Sequence, residues 1–290
     1  MTSRSLNWSS PETQKDTHMH TVVTYETVGE FIAKADTKGE NRKVSHTGFD
    51  ASFHGTATFP EAVSLAVQGW PEGAERLTKL RAELEGVVDK AIAAKSCKLE
   101  WDVTGDFLDV GRVLSGEPEC CGSFREGQDS QPSTRVIKLI ANVSAIGGVK
   151  QKSIFSAGAA VFAAVDVLET LGHRVELWLG SGSHRRSDGK KLTVLVKVKD
   201  ASQPFEPDRI AFFLAHNASL RRLFFSVEED LGFSPNGTGT CPLLVEEGSI
   251  ATPEVRQEDA TAAARAARVL QVCESCGVSF SQEEREAIVS

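Results

Sequence analysis

"HRVELWLGSGSHRRSDGKKLTVLVKVKD", His173 to Asp200, contains two strands and the turn that joins them. Branched and aromatic residues dominate His173–Ser181 and Lys191–Asp200, as half-buried strands require. Between them lie nine residues, "GSHRRSDGK", rich in glycine, serine and charge. A parallel pair needs a crossover of a dozen residues or more, so these strands must be antiparallel neighbours. Just upstream, Val136 to Ser144 reads as a buried strand. Lys152 to Leu171 reads as an alanine-rich helix that packs through Phe155, Val161, Phe162, Val165 and Leu168 and stops at Gly172.

Working outward, Pro207 to Asp230 has a helical pattern, and "TCPLLVEEG" (Thr240 to Gly248) reads as a strand ending in two carboxylates. Glu254 to Gly277 is a further helix, followed by a last helical turn from Ser281. This order predicts an α/β fold: a three-layer sandwich with a mostly parallel sheet and an antiparallel edge strand. In the first half, Thr21 to Ala35 suggests a strand running into a helix. Phe59 and Pro60 open a helix that Gly69 ends, and Pro71 starts a long amphipathic helix reaching about Ala94. "KLEWDVTGDFLDVGRVL" (Lys98 to Leu114) gives a strand, a turn and a short helix or strand. The Gly-, Ser- and Pro-rich Ser115 to Arg135 reads as a loop or boundary. The predicted organisation is a disordered tail over 1–20, an α+β region over 21–132 and the α/β domain over 133–290.

The chain has 290 residues and a formal charge of −8, a balance that favours protein partners over nucleic acid. No run approaches the roughly eighteen apolar residues of a membrane span, and the polar N-terminus has no apolar leader core. The expectation is a cytoplasmic protein with no membrane contact. The six cysteines then read as thiols. Cys273 and Cys276 have a zinc-clip spacing but no second well-spaced pair, so helix-end thiols are the simpler reading. His18 and His20 flank Met19 in the polar tail; they could touch a metal, and a mobile tail is the simpler reading.

The second half resembles the von Willebrand factor A domain, which pairs a strand-helix-strand unit with an antiparallel strand in this way. The resemblance covers residues 135 to 280. In that family the first strand ends in an Asp-x-Ser-x-Ser loop that holds a divalent cation with a threonine and a later aspartate. The cation's open position takes a carboxylate from the partner. Here the loop positions are Asn142, Ser144 and Ile146, and the later aspartate falls near Glu246 or Glu247. Magnesium wants charged oxygens in near-octahedral geometry, so an amide and an aliphatic side chain imply a degraded cation loop. No cofactor is expected, with magnesium the one candidate. Ligands of open α/β sheets gather at the carboxyl ends of the strands, and the expected surface is Asn142, Ser144, Glu246 and Glu247. Three further stretches, "FHGTATFPEAVSLAVQGWPEG", "DVTGDFLDVGRVLSGEPECC" and "FFLAHNASLRRLFFSVEED", resemble a family found in phages and mobile elements of bacteria.

Two other groups could carry chemistry. Asp102, Asp106 and Asp109, followed by Glu117 and Glu119, could hold a metal; turn aspartates and solvated glutamates are the structural alternative. Arg185 and Arg186, with Lys190 and Lys191, could hold an anion, or could simply solvate a hairpin tip. Arg221 and Arg222 sit among core residues, where arginine usually pairs with a carboxylate. Phosphate-loop, dinucleotide and nucleophile-elbow motifs are absent from the sequence. The leading expectation is a non-enzymatic binding or assembly module. The alternatives are a metal-dependent enzyme acting on a phosphodiester or similar ester, and a virion structural component.

Overall fold

The computed structural model describes residues 15–17, 19–37, 44–47, 51–95, 98–125, 135–233 and 238–289. His18, Cys97, the core of the 115–135 loop and most of the 1–20 tail lie outside these residues. The strands are β1 (Lys15–Thr17), β2 (His20–Tyr25), β3 (Lys98–Asp102), β4 (Phe107–Leu108), β5 (Cys121–Arg125), β6 (Val136–Asn142), β7 (Arg174–Arg185), β8 (Lys191–Lys199), β9 (Thr238–Thr240) and β10 (Ile250–Ala251). The helices are α1 (Val28–Asp36), α2 (Ala51–His54), α3 (Phe59–Gln68), α4 (Pro71–Glu83), α5 (Glu85–Lys95), α6 (Val110–Leu114), α7 (Gln151–Thr170), α8 (Pro207–Ala215), α9 (Phe225–Asp230), α10 (Ala262–Ser275) and α11 (Gln282–Val289).

The fold is mixed α/β. The main sheet runs β1-β2-β8-β7-β6-β10, with β9 also on β7. Among the five central strands, β2–β8, β7–β6 and β6–β10 are parallel, and β7–β8 is antiparallel. A separate antiparallel sheet is ordered β3-β5-β4. The β7–β8 hairpin forms as its short connection requires, but the turn is shorter than the glycine-rich sequence suggests. Strand β7 continues through Gly180 and Gly182 to Arg185. The main sheet draws on both predicted regions, because β2 lies along β8 in register, Val23 opposite Val194.

One face of the sheet presents Leu139, Leu177, Leu179, Val194, Val196 and Val23 to the principal core, into which α1, α3, α4, α5 and α7 to α11 all bury apolar side chains. The opposite face holds a small cluster of Ile140, Trp178 and Leu195, covered by Leu243 and Val245. The third layer is therefore an extended strap, 241–246, and not helices. This corrects the strand expected over Thr240–Gly248: the segment crosses the sheet face, and the strand that pairs with β6 is Ile250–Ala251. Pro242 has no N–H to give a ladder. The two β7 glycines let the strap lie close. A Cβ on Gly182 would come within 2.4 Å of the Cys241 carbonyl oxygen, and one on Gly180 within 2.5 Å of Leu243 Cδ1.

Other departures have local causes. The amphipathic helix after Pro71 breaks at Leu84 into α4 and α5. The helix expected over Pro207–Asp230 breaks at His216, which is extended, then winds as a π-helical turn over Ser219–Phe224 before α9. Strand β5 lies in the segment read as a loop and pairs with β3. Helix α7, with its run of alanines, is long and apolar enough to cross a membrane by composition, yet 78% of its apolar window is buried in the core.

Candidate functional site

Asn142 is the last residue of β6, and the loop beyond it is closed by its own hydrogen bonds. The Asn142 Oδ1 accepts from the Ser144 amide at 3.0 Å, an Asx turn. The Asn142 amide donates to Thr252 Oγ1 at 3.0 Å. Ser144 Oγ accepts from the Gly182 amide at 2.8 Å, and the Ser144 carbonyl accepts from Val255 at 3.0 Å. Asn142 and Ser144 are buried. Ile146, by contrast, is 61% exposed.

The loop thus meets the ends of β7 and β10, but the two glutamates lie elsewhere. Glu246 and Glu247 precede β10, and Glu246 pairs with Lys138 Nζ at 3.4 Å. Lys138 lies four residues before Asn142 in β6, about 13 Å along a strand. The residue that follows β10 at the loop is Thr252, whose hydroxyl the sequence reading passed over. The signal was available: Thr252 precedes Pro253 and follows the paired Ile250–Ala251. The misplaced strand hid it.

The loop supplies no carboxylate, and each of its polar side-chain oxygens accepts from a backbone amide. Such a donor set does not fit magnesium, which prefers several charged oxygens. Behind the loop lies a buried polar layer. Ser181 and Ser183 of β7 donate to the two carboxylate oxygens of Glu228, at 2.7 and 2.6 Å. Burial pushes the Glu228 carboxyl up to about 7; the serine hydroxyls oppose this and neighbouring Glu229 adds to it. Glu229 accepts from the Val44 amide at 2.7 Å and from Ser45 Oγ at 2.6 Å.

Arg221 and Arg222 pair with carbonyls, not with a carboxylate as sequence reasoning expected. Arg222 donates to the carbonyls of Ser45, Thr47, Thr56 and Ala57 at 2.7 to 3.2 Å. Arg221 donates to Phe53 and Val149 at 2.7 and 2.8 Å and lies over the Phe53 ring. Its contact with Val149 ties the second half of the strand-end loop to residues 51–54. Desolvation lowers the Arg221 guanidinium to about 10. These two side chains do not join the hairpin's basic residues in an anion site.

At the hairpin, Arg185 forms a bidentate pair with Asp188, at 2.9 and 2.6 Å, and also donates to the Gly232 carbonyl. The pair holds the Asp188 carboxyl down at about 2. Arg186 is exposed beside it. Asp109 caps α6 by accepting from the Arg112 amide, Asp102 accepts from Val103, and Glu117 pairs with Arg112 at 2.9 Å. Among the described residues no three His, Cys, Asp or Glu side chains gather as a metal-binding group. Cys273 of α10 and Cys276, which caps that helix, are buried thiols; burial raises both, Cys276 to about 12.

A cleft of about 710 Å³ opens at the carboxyl ends of β2 and β8. Val28, Ile32, Ile210 and Phe213 line its floor. On its rim, Lys197 bridges Glu26 at 2.8 Å and Asp200 at 3.3 Å. Its cations and carboxylates thus neutralise each other at the opening.

No curated protein and no solved structure matches the chain. The model of a family described as a domain of unknown function (DUF7192) matches residues 11–278, most of the chain's length. The chain belongs to that family.

Proposed function

We propose that the chain is a non-enzymatic protein-binding module whose strand-end loop offers an apolar contact in place of a bound cation. The observation that carries this reading is the loop itself. Asn142, Ser144 and Thr252 turn their oxygens inward to backbone amides, and Ile146 alone among the loop's ligand-equivalent positions faces solvent. The helix-linked parallel pair β6–β7, followed by antiparallel β8, supports the resemblance to the von Willebrand A arrangement. The hairpin arginine paired with Asp188 and the dispersed carboxylates of residues 102–119 favour binding over metal-assisted hydrolysis.

Isothermal titration of chelator-treated protein with magnesium and manganese tests the reading. Wild type should give no binding heat. An Asn142→Asp variant, which restores the loop carboxylate, should gain weak magnesium binding. Micromolar magnesium affinity in wild type would overturn the proposal. A photo-crosslinking residue at position 146 should also trap a discrete protein adduct in the native cells, and the same residue at exposed Glu283 should not.

A further inference from the structure

Residues 98–125 form a small arm built from β3, β4, β5 and α6. Among the described residues, the strands of this arm pair only with one another. Arg112 stacks over the Trp101 ring at 4.2 Å, and Trp101 meets Phe107 edge-on. Apart from Gly122, which lies under the Phe107 ring, no described side chain of the arm is buried. A three-stranded sheet needs a covered apolar face to be stable in water. Among the described residues the apolar side chains of the arm stay open to solvent: Val103, Phe107, Leu108, Val110, Val113 and Leu114 are all exposed, Leu114 by 83%. Val110, Val113 and Leu114 have the spacing of one helix face.

The charge around this surface selects its occupant. From Lys98 to Arg125 there are six carboxylates and three basic residues, with Lys98 and Arg125 at the ends of the arm and Arg112 on α6. Arg112 is engaged by Glu117, the Glu119 carbonyl and Trp101. A second copy docking symmetrically would set one acidic rim against another, which is unfavourable. A basic amphipathic segment meets both features at once, with apolar side chains on the stripe and Lys or Arg against the rim.

We propose that the 98–125 arm is a docking surface for a partner protein that presents an apolar helix face flanked by basic residues. The proposal extends the protein-binding reading to a second surface but does not use the strand-end loop. Cation binding at Asn142 would therefore defeat that reading and leave this one to its own test.

The test uses the full chain and three labelled helical peptides: leucine face with lysine flanks, leucine face with glutamate flanks, and alanine face with lysine flanks. Binding is read by fluorescence anisotropy. The first peptide should bind at micromolar affinity and the other two far more weakly. Leu114→Asp should weaken the first peptide about tenfold or more, although it adds an attractive negative charge. Leu114 is so exposed that this change leaves the fold intact, which circular dichroism checks. A second variant, Asp106→Asn, should weaken binding by a smaller factor and reduce its salt dependence. Three results would overturn the proposal: equal binding of both lysine-flanked peptides, which means charge attraction alone; an unchanged affinity in Leu114→Asp; or a concentration-dependent dimer that Leu114→Asp dissociates, which would assign the surface to a second copy.

Discussion

Glu228 carries a buried acid on a helix that faces the end of β7, with Ser181, Ser183 and Glu229 as its polar surroundings. Its folded-state value, about 7, lies above the ordinary carboxyl value of 4.5. The folded protein therefore holds this proton more tightly than the unfolded chain. The stabilisation is complete below pH 4.5 and is lost as pH rises towards 7 and above. Linkage puts the loss at about 3 kcal/mol, most of it between roughly pH 5 and pH 8. His216 works in the opposite direction. Burial against Trp70 and Phe212 lowers it to about 4, so its contribution is present above its ordinary 6.5 and lost as pH falls. Urea unfolding of wild type and Glu228→Gln across this range separates the two. The variant should lack the alkaline loss and keep the acid loss attached to His216. An identical alkaline slope in both proteins would exclude Glu228 as its source.

The π-helical turn and the strap are where single residues act on whole elements. Arg222 serves four carbonyls from two chain segments with one planar group. Lysine is a point charge on a flexible stem and cannot cover that span. Arg222→Lys should cost roughly 2–4 kcal/mol, because buried carbonyls lose their donor. Denaturant unfolding measures this, and hydrogen exchange should rise at residues 44–47 and 56–57. Under the strap, Gly182→Ala should cost more than Gly180→Ala. The first meets a backbone oxygen and the second a movable leucine methyl, within a range of about 1–3 kcal/mol for overpacking. Equal losses would mean that the strap shifts as a unit. These elements also mark how far the sequence could be read. The hairpin and the strand-helix-strand unit were legible because connection length and hydrophobic period fix them locally. The strap was not, because Leu243 and Val245 alternate as a strand does while their partners are side chains of another sheet face. Asn142 and Ser144 were legible as a strand-end pair. Thr252, Gly182 and Glu228 were not, since each reaches the site by long-range packing.

At the scale of the molecule, the two halves of the sequence share one sheet and one apolar core. Strand β2 covers β8, and α4, α5 and the Leu84 break between them contribute Leu77, Leu84, Val88 and Ala91 to the cluster that α7 fills with Val161, Val165 and Leu168. Polar contacts follow the same seam: Arg81 with Asp166, Arg265 with Glu83 at 2.7 Å, and Lys90 with the Ala287 carbonyl at 2.6 Å. Surface ion pairs contribute little, so the apolar contacts dominate this joint. A fragment of residues 133–290 would expose the β8 edge and one side of α7 together. Large apolar patches and bare strand edges drive association in water. The fragment should therefore be aggregated or molten, with little cooperativity in a thermal melt, whereas mixing it with residues 1–125 during refolding should restore a cooperative transition. Loss of the 98–125 arm alone should leave the main melt nearly unchanged, since among the described residues its strands pair only with one another. A cooperative, monomeric 133–290 fragment would instead make the first half an accessory to a self-sufficient α/β domain, and would move β2 from a structural strand to a replaceable cover.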